Sequence, residues 1–76
     1  MKREEFLREI AEIMQLDEVP LENDNLNDYD EWDSMTILGV ISFFDDEFNI
    51  TLSSDDLDLV KTMNDLIQLA DDHIPD

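Results

Sequence analysis

Cysteine is absent from the 76-residue sequence. That excludes a disulfide staple, a thiolate–metal site and a thiol nucleophile, and it leaves the redox compartment open. Glycine occurs once, at Gly39; a sheet-rich fold with many tight turns needs more. Positive charge is almost as scarce. Four Lys and Arg stand against 22 Asp and Glu, a formal net charge of -18. Lys2, Arg3 and Arg8 lie near the start of the chain, and only Lys61 follows. Nucleic acid and anionic membrane surfaces both require a cationic footprint, so neither is an expected partner; proteins presenting Lys and Arg patches are. No apolar run approaches membrane-spanning length, and the opening MKREEFLREI lacks the apolar block of a signal peptide, so a cytoplasmic location is expected.

Histidine is equally sparse. His73, the one example, is far along the chain from any serine of interest. General acid–base or nucleophilic catalysis needs an activated group held beside a base, so no catalytic residue is assigned. The acidic run before residue 35 also fails as a calcium loop, which needs oxygen ligands at fixed positions, a glycine at the sixth and a bidentate Glu at the twelfth. Counting from Asp24, the third, sixth and twelfth positions are Leu26, Tyr29 and Met35; counting from Asp28, the fifth is Trp32 and the sixth Asp33. No metal site is assigned.

What is present is helical periodicity. The hydrophobic fraction, 42%, is too high for a disordered acidic tail. Residues 2–16 place Phe6, Ile10, Ile13 and Met14 on one stripe with Leu7 alongside, and Glu4 and Arg8 at pairing distance on the solvent side. Asp17 and Pro20 are the expected stop. Residues 17–33 form a long polar loop, anchored by Val19, Leu21, Leu26 and Tyr29. A second helix is expected over 34–48, with Ile37, Val40, Ile41, Phe44 and Phe48 toward the core. Its other side, bearing Met35, Leu38, Gly39, Ser42 and Asp46 with Phe43 on the flank, is not strongly polar; in a chain this short a binding face there is favoured over burial. Ile50 and Leu52 then mark an extended connector. Ser53 with Asp56 and Thr62 with Asp65 read as capping boxes opening a brief helix over 54–59 and a last helix over 63–72, the latter striped by Met63, Leu66, Ile67 and Ala70. The expected fold is all-α, a small four-helix bundle with a long first loop and a short third helix, forming one domain over 1–76.

Ser34 carries two readings. It follows Asp33 at the start of an apolar helix, where either residue caps well. Ile37 stands where a capping box with Ser34 would want Glu or Gln.

The second reading comes from a resemblance. DSM at the start of the second helix, DDEFNITL at its end and TMNDL opening the last helix resemble the acyl carrier protein family over nearly the whole chain. The resemblance implies that Ser34, in Asp33-Ser34-Met35 with Met where Leu is usual, receives 4'-phosphopantetheine from coenzyme A. Asp33 would contact the phosphopantetheinyl transferase and its metal. Trp32 stands where Gly is frequent, and the WDS form looks like that of certain free-standing carriers. The second helix has no carboxylate between Met35 and Phe44, so its acids fall at Asp45, Asp46 and Glu47. A partner face is implied there, with apolar contact from Met35, Leu38 and Phe43, facing acyl-loading and acyl-processing enzymes of fatty acid, polyketide or related biosynthesis. Val40, Ile41, Phe44, Phe48, Leu66 and Ile67 would bound an acyl pocket or simply pack as a core. The implied protein is a non-enzymatic monomer. A peptidyl or aminoacyl carrier shares these features, and an acidic inhibitor that mimics nucleic acid is the alternative from another class.

Crowded carboxylates repel one another in the folded state. Added salt, or divalent ions at about millimolar concentration, is therefore expected to raise the melting temperature. A melting curve indifferent to both would show that the repulsion is unimportant.

Overall fold

Twelve residues of α1, Arg3–Met14, begin the computed structural model, which describes residues 1–70, 73 and 74. Three more helices follow among the described residues: α2 (Ser34–Phe48), α3 (Ser54–Asp58) and α4 (Met63–Leu69), with a single 3-10 turn at Leu26–Asp28 inside the long loop. The all-α bundle expected from the periodicity is the observed one, and α2 has the bounds its apolar pattern predicts.

The stripe on α1 buries Phe6, Leu7, Ile10, Ala11 and Met14. The helix stops earlier than Asp17 and Pro20 suggest. Gln15 turns left-handed, with φ 60°, and the Leu16 and Gln15 amides donate back to the carbonyls of Ala11 and Glu12 at 2.9 and 3.1 Å. This backbone closure satisfies carbonyls that the helix end would otherwise leave open. α2 ends the same way. Asn49 adopts φ 57°, and the Ile50 and Asn49 amides donate to Phe44 and Asp45 at 3.2 and 3.1 Å. Asn tolerates the left-handed region better than most residues, and Ile50 then folds half-buried onto the core. The DDEFNI segment is thus a helix stop with its apolar lid.

Between α1 and α2 lies an aromatic cluster. Phe6 and Phe44 are fully buried. The Phe6 ring meets Phe44 edge-on at 5.8 Å and Phe48 at 6.3 Å, while Phe44 and Phe48 are 5.4 Å apart. Phe43 joins them, 5.9 Å from Phe6 and 5.6 Å from Phe48. Its ring is therefore half-buried in this cluster, a correction to its placement on the outer flank. Truncating a ring such as Phe6 to Ala costs about 3–5 kcal/mol, comparable to what a single core this small supplies.

Both expected capping boxes form. Ser53 Oγ accepts the Asp56 amide at 3.3 Å, and the Asp56 carboxylate accepts the Ser53 amide at 3.0 Å. Thr62 and Asp65 repeat the exchange at 3.2 Å in each direction. Asp65 also accepts the Lys61 amide at 2.9 Å, and these backbone N–H groups hold its pKa below the usual carboxylate value. The part of the expected last helix at Asp71 and Asp72 lies outside the described residues.

The long loop is ordered by α4. The Met63 and Asn64 amides, orphans of the α4 N-terminus, donate to the carbonyls of Asp24 and Glu22 at 3.1 and 2.7 Å. The Leu26 amide donates to Lys61 at 2.8 Å, and Asn25 and Thr62 form an isolated antiparallel bridge. Leu26 is fully buried, but Val19 and Leu21 are 47% and 69% exposed. The expected anchors at 19 and 21 therefore give way to these backbone bonds. Arg3, rather than Arg8, makes the ion pair found among the described residues, with Glu22 at 3.1 Å, and it ties α1 to the loop.

Within the loop, Tyr29 Oη donates to Asp24 Oδ2 at 2.7 Å, and the Leu21 amide donates to the same oxygen at 2.9 Å. The Leu21 amide, then the Tyr29 hydroxyl, hold Asp24 below the usual carboxylate pKa. The same bond to Asp24, with burial and nearby carboxylates, pushes the Tyr29 phenol up to about 12. A raised folded pKa means stability present below the unfolded value of about 10 and lost as pH rises toward the folded one. Tyr29 is the one tyrosine, so its phenolate absorbance is read without deconvolution. It is expected to titrate near 12, and to return toward about 10 in Asp24→Asn. A wild-type midpoint near about 10 would show that the bond does not persist in solution.

Candidate modification site at the head of the second helix

The approach to α2 is held on both sides of Ser34. Asp33 is extended, with φ -120° and ψ -176°, and its Oδ1 accepts the Thr36 amide at 3.0 Å. The Asp33 carbonyl accepts the Ile37 amide at 2.9 Å. Thr36 is buried, and its hydroxyl donates to the Glu31 carbonyl at 2.6 Å. Further back, the Trp32 amide donates to the Tyr29 carbonyl at 3.2 Å. Asp33 is the cap, and Ser34 is the first helical residue. The bonds that fasten this turn run through Asp33, Thr36 and Glu31, and Ser34 is left exposed.

The other serines differ. Ser53 is committed to its capping box, its hydroxyl 3.2 Å from Asp56 Oδ2. Ser54 opens a five-residue helix, and Ser42 lies mid-way along α2. Only at Ser34 does an exposed hydroxyl stand at the mouth of a 15-residue helix. There the dipole and unpaired amides favour an anion, while Glu31 and Asp33 oppose it locally. His73 lies against the Phe48 ring, with centroids 5.1 Å apart. Phe48 closes the opposite end of α2, about 21 Å along the axis from Ser34.

The residues expected to form a partner face divide in two. Met35 and Leu38 are 81% and 64% exposed, and Asp45, Asp46 and Glu47 are exposed at the far end of the helix. Phe43 shows solvent only part of a ring engaged in the aromatic cluster. Leu59, exposed just past α3, is a large apolar side chain to which the sequence periodicity assigns no role. Of the residues expected to bound an acyl pocket, Val40, Phe44, Leu66 and Ile67 are fully buried, Phe48 is nearly so and Ile41 is half-buried.

At Gly39 the α2 backbone lies close against α1. A Cβ built on it would lie 2.9 Å from Ile13 Cγ2. Two grooves share Ile13 and Gly39, one lined also by Asp33, Met35 and Thr36 and the other by Ser42, Phe43 and Asp46. Among the described residues no three His, Asp or Glu side chains converge as a metal site, and no helix is long and apolar enough to cross a membrane.

A family model described as a phosphopantetheine attachment site matches residues 4–70, from the first turn of α1 to the end of α4. No curated protein and no solved structure gives a significant match. Proteins of the matched family carry 4'-phosphopantetheine covalently, and such carrier domains meet phosphopantetheinyl transferases and biosynthetic enzymes. With the helix order, the long first loop and a match over most of its length, the chain belongs to the phosphopantetheine-attachment-site family.

Proposed function

We propose that the chain is a free-standing acyl carrier protein, one domain modified on Ser34. The observation that carries this reading is the exposure of Ser34 at the first position of α2 while Asp33 performs the capping. The site fits the group. Asp33 takes up the Thr36 and Ile37 amides, which leaves those of Ser34 and Met35, at the helix start, available to an anionic phosphodiester.

In the modification, Ser34 Oγ forms a new bond to the phosphorus of coenzyme A that bears the pantetheine. The nucleotide bisphosphate leaves, and the serine proton passes to a base on the transferase, with Mg²⁺ supplied by that enzyme. Asp33 uses one carboxylate oxygen in its cap, and the other contacts the transferase and its metal. When bound, the group supplies a terminal thiol that holds an acyl chain as a thioester. The chain's own residues contribute a fixed, exposed attachment point and a docking surface, and they catalyse nothing.

That surface comprises Met35 and Leu38, the open edge of Phe43, and Asp45, Asp46 and Glu47. Its partners are acyl-loading and acyl-processing enzymes with basic patches, in a fatty acid, polyketide or related pathway of the cytoplasm. A net charge of -18 steers such encounters, which makes association rates fall with ionic strength. The carrier acts as a monomer.

Incubation with coenzyme A, Mg²⁺ and a broad-specificity phosphopantetheinyl transferase is expected to add the mass of one phosphopantetheine to the wild type and none to Ser34→Ala. An unmodified wild type would overturn the carrier reading. Equal modification of Ser34→Ala would move the site to another serine.

A further inference from the structure

Thr36, Val40, Phe44 and Phe48 are the buried residues of α2, a row of steps of four along the side that meets the core. Three of them are apolar. Thr36 stands where that row calls for another aliphatic side chain, and among the described residues it is the one polar residue that is buried. A hydroxyl so placed costs free energy unless it is bonded. Here it donates to the Glu31 carbonyl at 2.6 Å, five residues back across the helix start. Valine, also β-branched, would occupy the position without that cost, so packing alone does not account for the hydroxyl. Its bond joins two stretches that Ser34 lies between. On the helix side, the Thr36 amide donates to Asp33 Oδ1 at 3.0 Å and the Ile37 amide to the Asp33 carbonyl at 2.9 Å. On the loop side, the Trp32 amide donates to the Tyr29 carbonyl at 3.2 Å. Among the described residues, the Thr36 hydroxyl makes the hydrogen bond that crosses from α2 to the loop residues before Asp33.

We propose that Thr36 is a positioning residue for the modification: its hydroxyl tethers the segment from Glu31 to Asp33 onto α2, and so holds Ser34 and Asp33 in the arrangement that the transferase engages. The proposal rests on the reading of Ser34 as the attachment point. Ser34 and Asp33 are exposed, whereas Thr36 is buried. A docking enzyme therefore meets the first two, and Thr36 acts on the reaction through them. Without the tether the Glu31 carbonyl turns to water as its partner, and Trp32, half-buried against the core beside it, moves with the segment. Only molecules with the turn closed are then competent to be modified. The apparent KM rises as that fraction falls, while kcat, which is set once the closed turn is bound, stays the same.

The test compares the full chain and its Thr36→Val, Thr36→Ser and Thr36→Ala variants, each checked for folding by circular dichroism, as substrates of a broad-specificity phosphopantetheinyl transferase with coenzyme A and Mg²⁺. In Thr36→Val the KM for the carrier is expected to rise severalfold, to about tenfold at most from one ordinary hydrogen bond, with kcat unchanged. Thr36→Ser keeps the hydroxyl and is expected to retain the wild-type KM. Thr36→Ala, which differs from it by that oxygen alone, is expected to follow Thr36→Val, and this pair decides the matter if Thr36→Val does not fold. A wild-type KM in Thr36→Val, or a Thr36→Ser no better than Thr36→Ala, overturns the tether and leaves the carrier reading standing. Trp32 is the one tryptophan, so its emission reports the same segment without the transferase. It is expected to shift to the red in Thr36→Val and Thr36→Ala but not in Thr36→Ser; unshifted emission in all three overturns the tether. If no protein, wild type included, gains the phosphopantetheine mass, the carrier reading itself fails.

Discussion

One hydrogen bond, from the Thr36 amide to the Asp33 carboxylate at 3.0 Å, decides where α2 begins. Had Ser34 served as the cap, the helix would start one residue later and the hydroxyl would be occupied by the backbone. Thr36 secures the arrangement a second time, because its buried hydroxyl is satisfied by the Glu31 carbonyl. Leaving such a group unpaired costs about 1–3 kcal/mol. The turn is thus held from both flanks, and Ser34 projects between them. A carrier's attachment point needs a fixed backbone beneath a free side chain, and this turn supplies both.

Acidic residues serve the structure in several places besides giving the molecule its field. Asp33, Asp56 and Asp65 each accept backbone amides at a helix start, and Asp24 does so within the loop. Negative charge at a helix N-terminus also complements its dipole. The helix ends that need left-handed residues use Gln15 and Asn49 instead. Much of the remaining carboxylate is exposed on α1, α2 and α3, where it repels its neighbours and attracts cationic partners. The aromatic cluster of Phe6, Phe43, Phe44 and Phe48 must hold the bundle together against that repulsion.

Features written in local signals were legible in the sequence. The boxes at Ser53–Asp56 and Thr62–Asp65 depend on residues three apart, and the bounds of α2 follow from Asp33 before its apolar run and from the end of that run at Phe48. Ser34 stood out through its Asp33 neighbour and the family resemblance. Long-range and backbone-mediated features were not legible. The bonds from Leu26 to Lys61 and from Met63 to Asp24 involve no side-chain chemistry, so apolar anchors at Val19 and Leu21 looked necessary when they are not. The left-handed turn at Gln15 has no Gly or Asn to announce it. Arg3 pairs with Glu22 across the fold, a partner that helical spacing alone cannot nominate. Phe43 looked like surface because periodicity assigns a residue to a side of one helix, whereas its environment comes from Phe6 on another.

The division of labour between Asp33 and Ser34 is tested most directly by comparing the chemical-denaturation stability of Asp33→Ala and Ser34→Ala. Loss of the cap is expected to cost Asp33→Ala about 1 kcal/mol, while Ser34→Ala stays within about 0.5 kcal/mol of the wild type. The reverse order, with Ser34→Ala the more damaged, would mean that the serine hydroxyl is tied into the helix start and is not free to be esterified.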